Sequence, residues 1–206
     1  MKYPNFREEK KLWRKGHKMV IGIDEAGRGP LAGPVIACAI TVPEFLISNL
    51  KFLNIKDSKK LSPKKREEFY RMITKHPQIG WGIGRVSEKV IDRINILEAT
   101  KLAMKRAVRN LEKKCSCSDF LIIDGNFGIN LDIPQKSIIK GDEKVFSCAA
   151  ASVIAKVTRD RIMLRYHKKY SRYGFDKHKG YPTKFHRQII KRYGFCKIHR
   201  RSFRVS

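Results

Sequence analysis

Four short apolar runs, at residues 19–23, 35–42, 79–86 and 120–123, set the terms on which this chain can fold. Each is too short for a core helix and is bounded by Gly, Pro or charge, so each reads as a strand. The first two are joined through the bend Ala26-Gly27-Arg28-Gly29-Pro30 and the second stops at Pro43, an arrangement suited to antiparallel neighbours. Helices fill the spaces between. One is expected from Ser62-Pro63, an N-cap followed by a first-turn proline, through residue 75, with Phe69, Met72 and Ile73 on one side. The clearest helical periodicity lies at 96–113, where Leu97, Met104, Val108 and Leu111 recur beside Ala103 and Ala107. A further short strand at 137–139 and helices at 146–170 and 183–193, the last closed by Gly194, complete the pattern. Residues before Lys18 are charged and weakly patterned, and no element is assigned to them. The fold class is α/β: a mixed β-sheet flanked by helices in a single domain spanning residues 1–206, with a basic helical C-terminal portion from about residue 160.

Charge narrows the partners. Lys and Arg number 46 against 19 acids, a net charge of +27, far beyond what solubility requires. From Lys156 to the C-terminus, 17 Lys or Arg stand against only Asp160 and Asp176, so this quarter is the expected phosphate-facing surface. The longest apolar stretch, 31–42, contains Gly33 and Pro34 and falls short of the roughly 18 residues of a membrane span. No secretory signal core follows Met1, and the expected location is the cytoplasm. Five cysteines, an odd number with Cys115 and Cys117 too close for a CxxC knuckle, read as reduced structural thiols. His178, His186 and His199 match no zinc spacing; phosphate contact or surface placement is expected of them.

Three apolar runs deliver an acid at their C-terminal ends: Asp24 and Glu25, then Asp124, then Asp142. Strand ends of an α/β sheet converge, and carboxylates gathered there repel one another unless cations neutralise them. Oxygen donors of this kind suit Mg²⁺ or Mn²⁺, and a pair of such ions is the apparatus of phosphodiester cleavage. Each acid taken alone is better read as a turn or a solvated loop charge; the conjunction, in a chain with few acids, puts a metal site on an equal footing with that reading. Gly27-Arg28-Gly29 follows the first pair and lets backbone groups approach a sugar or phosphate closely, but it lacks the Lys-Ser/Thr of a P-loop and the helix of a dinucleotide fingerprint. Tyr181 lies in the most basic region, where a ring either stacks on a base or packs in the core.

The segment Gly22-Ile23-Asp24-Glu25-Ala26-Gly27-Arg28-Gly29-Pro30-Leu31-Ala32-Gly33-Pro34-Val35 closely resembles the opening motif of the type 2 ribonucleases H of bacteria and archaea, the ribonuclease HII family. The likeness extends through Asp57-Ser58-Lys59-Lys60-Leu61-Ser62, Ile123-Asp124-Gly125, Lys140-Gly141-Asp142, the run 149–160, His178-Lys179-Gly180-Tyr181 and His199-Arg200-Arg201-Ser202-Phe203. It implies a ribonuclease H-like fold and a four-carboxylate, two-metal site at Asp24, Glu25, Asp124 and Asp142. Asp24 would bridge both ions, with Glu25 and Asp124 on one and Asp142 on the other. The implied substrates are RNA–DNA hybrids and DNA duplexes carrying ribonucleotides, cut on the 5′ side of the junction ribonucleotide to leave 5′-phosphate and 3′-hydroxyl ends, an activity suited to ribonucleotide excision repair. By the same resemblance Gly27, Arg28 and Gly29 read the 2′-hydroxyl, Tyr181 presses on the sugar beyond it, and Lys59 and Lys156 contact phosphates. Asp160 is expected to anchor basic side chains rather than a metal. A monomer is expected, without the C-terminal clamp-binding extension of some relatives.

Two rivals remain to be weighed. Type 3 ribonucleases H share the acids but carry an extra N-terminal domain and lack the tyrosine, which Tyr181 and the short leader here argue against. A non-enzymatic basic RNA-binding protein needs only charge and a fold, and gives no reason for acids at several strand ends.

Overall fold

The computed structural model describes residues 4–49, 61–115 and 117–205. Its centre is a five-stranded mixed sheet built from β1 (Val20–Ala26), β2 (Val35–Thr41), β3 (Gly80–Val86), β4 (Phe120–Asp124) and β5 (Gln135–Ile138), in the order β3-β2-β1-β4-β5. The first three strands form the expected antiparallel meander, while β4 joins β1 and β5 joins β4 in parallel. Alternation along β1 divides the molecule. Ile21 and Ile23 face one side with Val35, Ala37 and Ala39, against α3 (Glu88–Glu112). Gly22, Asp24 and Ala26 face the other, against α5 (Phe146–Lys169). Each fully buried Ile on these faces contributes about 2 kcal/mol by leaving water.

Both covering helices approach the sheet closely because the sequence omits bulk where they touch it. A Cβ on Gly84 would collide with the Ala103 carbonyl of α3. The first ten residues of α5, Phe146–Ala155, are buried throughout and mostly Ala, Ser or Cys, small enough to lie directly on β1 and β2. Ser62 accepts a hydrogen bond from the Lys65 amide at 3.3 Å and starts α2 (Pro63–Lys75), as the sequence indicates.

Several expectations are corrected. The leader forms α1 (Arg7–Arg14), whose Leu12 is buried beside Val20. The helix expected from 96 is preceded by further helical turns from Glu88, with a break at Asn95 (φ 64°). There the Asn95 side chain accepts from the Leu97 and Glu98 amides at 2.9 and 3.1 Å and restarts the helix as an N-cap would. Leu97 itself is exposed, while Ile91 before it and Ala99 after it are buried in the core on the sheet side. The strand expected at 137–139 lies at Gln135–Ile138, and Asp142 belongs to a one-turn helix, α4 (Gly141–Lys144). A short α6 (Phe175–His178) precedes α7 (Lys184–Tyr193), which Thr183 caps by accepting from the His186 amide at 3.2 Å.

Candidate active site

The parallel register of β1 and β4 pairs Ile23 with Ile123, so the next residues, Asp24 and Asp124, emerge side by side on the α5 face at the strands' C-terminal ends. The third acid is delivered by hydrogen bonding. Asp124 accepts from the Gly141 amide at 2.7 Å, which docks the start of α4 against β4 and brings in Asp142. One carboxylate oxygen from each of Asp24, Asp124 and Asp142 lies within 4.8 Å of the others, a donor set of hard oxygens that fits a divalent cation. Asp24 and Asp142 are buried and Asp124 is half-buried. Glu25, the fourth expected acid, is outside this trio of mutually close oxygens, but it is the first of the charges acting on Asp24 and lines the adjoining recess, and its carboxylate lies 3.6 Å from Arg28.

Burial, and then the charges of Glu25, Asp124 and Asp142, hold the Asp24 carboxyl well above the usual carboxylate range, opposed by a hydrogen bond from the Glu25 amide at 2.6 Å. Such a cluster is strained as three anions and relieved by a proton or a cation.

Beside the acids is a recess of about 200 Å³ lined by Glu25, Ala26, Gly27, Arg28, Gly29, Ser152, Lys156 and Tyr181. Five of the expected substrate contacts therefore meet in one place. Gly27 takes φ +102°, and a Cβ there would strike the Arg159 side chain, so the bend after β1 requires glycine. Tyr181 is 39% exposed, with Lys156 Nζ 5.5 Å and Arg159 Cζ 5.7 Å from its ring centroid. Lys156 also donates to Asp160 at 2.9 Å, and Arg66 lies 3.9 Å from the same carboxylate, so Asp160 does pair with basic side chains. Lys59 falls outside the described residues.

Two features escaped sequence reading. The histidines expected at the surface are buried: His178 stacks on His186 with centroids 4.2 Å apart, and His186 Nε2 lies 3.1 Å from His199 Nε2. Burial first, and then the positive fields of their neighbours, pushes His186 down to about 4, and burial does the same to His199, also to about 4. Behind the recess lie Arg159 and Arg200, both wholly buried and donating to backbone carbonyls. Their placement in runs of positive charge gave no hint of burial. All five cysteines are free thiols, and no helix among the described residues is long and apolar enough to cross a membrane.

Comparison with known proteins identifies the family and the fold. The family model for Ribonuclease HII matches residues 21–206. The Ribonuclease HII of Syntrophus aciditrophicus is 49% identical over 197 residues, covering 96% of this chain and 89% of the relative. That of Acetivibrio thermocellus is 53% identical over 195 residues, covering 95% and 73%. Among solved structures, a chain of the PCNA:RNase HII complex from Archaeoglobus fulgidus superposes with TM-score 0.75 at 26% identity, covering 91% of this chain and 96% of that one. The ribonuclease H2 of Pyrococcus horikoshii gives 0.71 at 29% identity, covering 90% and 94%.

Proposed function

The chain belongs to the Ribonuclease HII family of metal-dependent endonucleases, and on that footing we propose that it hydrolyses the RNA strand of RNA–DNA hybrids and incises duplex DNA on the 5′ side of the junction ribonucleotide, leaving 5′-phosphate and 3′-hydroxyl ends. It does so as a monomeric, single-domain enzyme of the cytoplasm, in the service of ribonucleotide excision repair.

The observation that carries the reading is the convergence of Asp24, Asp124 and Asp142 within 4.8 Å, next to a recess framed by a glycine bend and Tyr181. Asp24, Asp124 and Asp142, with Glu25 from the adjoining position on β1, hold two Mg²⁺ or Mn²⁺ ions. When bound, these ions supply activation of the attacking water and neutralisation of the departing oxygen. The rest is done by the chain's own groups. Backbone groups of Gly27, Arg28 and Gly29 engage the 2′-hydroxyl, the one group absent from DNA. Tyr181 packs against the next sugar and orients the junction. Lys156 and Lys59 hold flanking phosphates, and the basic C-terminal surface draws the duplex in.

The test is an incubation of the purified chain with a duplex carrying one internal ribonucleotide, an RNA–DNA hybrid and an all-DNA control, with Mg²⁺, Mn²⁺ or EDTA. Cleavage of the first two, abolished by EDTA, is expected. An intact single-ribonucleotide duplex under both metals overturns the reading.

A further inference from the structure

Two guanidiniums are sealed behind the recess, and their donors are directed to the backbone that shapes it. Arg200 donates to the carbonyls of Gly27 at 2.6 Å, Arg28 at 2.8 Å and Gly33 at 2.8 and 2.9 Å. Arg159 donates to those of Ala32, Pro34 and Lys179, each at 3.0 Å. Both side chains are 0% exposed. A buried cation is costly unless it is fully solvated by the protein, and here carbonyl dipoles do the solvating, which fixes those dipoles in turn. Burial, then repulsion from Arg159, pushes the Arg200 guanidinium down to about 9, so it remains charged at neutral pH.

The consequence for the recess follows from peptide planarity. In a trans peptide the C=O and the following N–H point in opposite directions, and the described chain has no cis bond. The Gly27 and Arg28 carbonyls are drawn inward to Arg200, so the amides of Arg28 and Gly29 are turned the other way, at residues that line the recess. Arg159 grips the Lys179 carbonyl two residues before Tyr181, and Leu31 donates to the Gly180 carbonyl at 2.8 Å. The glycine bend and the tyrosine loop are thus tied to one frame. The segment carrying Arg200 is itself held by Asp92, which accepts from the amides of Arg201 and Ser202, both at 3.0 Å, and from the Ser202 hydroxyl at 2.6 Å.

We propose that Arg200, assisted by Arg159, is a positioning residue for sugar discrimination: its fork sets the two peptide units whose amides face the ribose and holds them in register with Tyr181. This rests on the nuclease reading above. Lysine cannot reproduce the fork, because one ammonium serves the carbonyls as a point charge.

Arg200→Lys is therefore expected to lower kcat on a single-ribonucleotide duplex by about 100-fold, the scale of a misplaced contact, while KM changes by less than about threefold. Affinity for an all-DNA duplex, measured by fluorescence anisotropy in EDTA, should stay within about twofold, since phosphate contacts on the outer surface are untouched. A purely structural role would instead lower the active fraction in binding and turnover alike. Asp92→Ala, which leaves the guanidinium in place and frees the segment carrying it, decides the matter should Arg200→Lys not fold; it is expected to reduce kcat by about tenfold with all-DNA binding retained. Wild-type kcat in the variants that fold, or parallel losses of turnover and all-DNA binding, overturns the proposal. Failure of the unaltered chain to cleave would strike the nuclease reading itself.

Discussion

Replacing Asp24 with Asn should abolish cleavage and at the same time make the protein more stable in the absence of divalent cations. Two unit charges 4.8 Å apart, the outer limit for the three acids, repel by about 3 kcal/mol at an effective dielectric constant near 20. Asp24 faces two such neighbours and the nearby Glu25, and it is 4% exposed, so little of this is screened by water. Part of the repulsion is relieved by proton uptake, because the carboxyl titrates well above its usual range. A neutral amide of the same shape removes what is left, a gain of about 1–3 kcal/mol, or roughly 3–10 °C in Tm for a chain of this length. The sign of the pH dependence also follows. A carboxyl with a raised folded pKa favours the fold at low pH, and that contribution is lost as pH rises from its unfolded value through its folded one. The Asn variant should therefore gain most near neutral pH and nothing near pH 3. Differential scanning fluorimetry in EDTA and in excess Mg²⁺ or Mn²⁺ provides the assay, with wild type gaining stability from the metal and Asp24→Asn gaining little. An Asn variant that melts below wild type in EDTA at pH 7.5, or responds equally to metal, would refute the reasoning.

The buried histidines predict acid sensitivity. With folded values near 4 against 6.5 in the unfolded chain, each of His186 and His199 stabilises the fold above pH 6.5, and about 2 kcal/mol per imidazole is lost between pH 7 and pH 5. Urea unfolding at the two pH values measures this, and a proton resonance assigned to the His186 or His199 imidazole that titrates near 6.5 in the folded protein contradicts it. Gly84→Ala should cost about 3 kcal/mol or more, because the new methyl has only the α3 backbone to move against; a melting temperature within about 2 °C of wild type would show that α3 can shift freely. Tyr181→Ala should depress single-ribonucleotide incision more than hybrid cleavage, and equal losses would remove its junction role.

The strands and the two strand-borne acids, Asp24 and Asp124, were legible because period-2 alternation is written into the residues. Once Ile21 and Ile23 face one helix, Gly22 and Asp24 must face the other, and the same rule on β4 sets Asp124 on that side. Asp142 required information that no local pattern carries: its place depends on a hydrogen bond between Asp124 and Gly141, 17 residues later in the chain. The α1 helix was hidden for a related reason. Among its buried residues is Glu9, which accepts from the Ser147 amide at 2.9 Å and hydroxyl at 2.8 Å, so part of its inward face looks polar in sequence. The histidines and the two buried arginines were misread because charge near charge suggests a surface, and only the tertiary structure shows which cations have carbonyls around them.

Asp24 and Arg200 show two ways of keeping a charge away from water. Around Asp24 the compensation is incomplete, with like charges packed together and one amide as counterweight, a deficit that a divalent cation would relieve. Around Arg200 the donors are spread over three backbone carbonyls, so the site is already balanced and has no use for a further ligand. The difference fits what each must do. A group that binds and releases ions has to be left unsatisfied by the fold, whereas a group that holds two loops in register works only if its hydrogen bonds are complete before the substrate arrives.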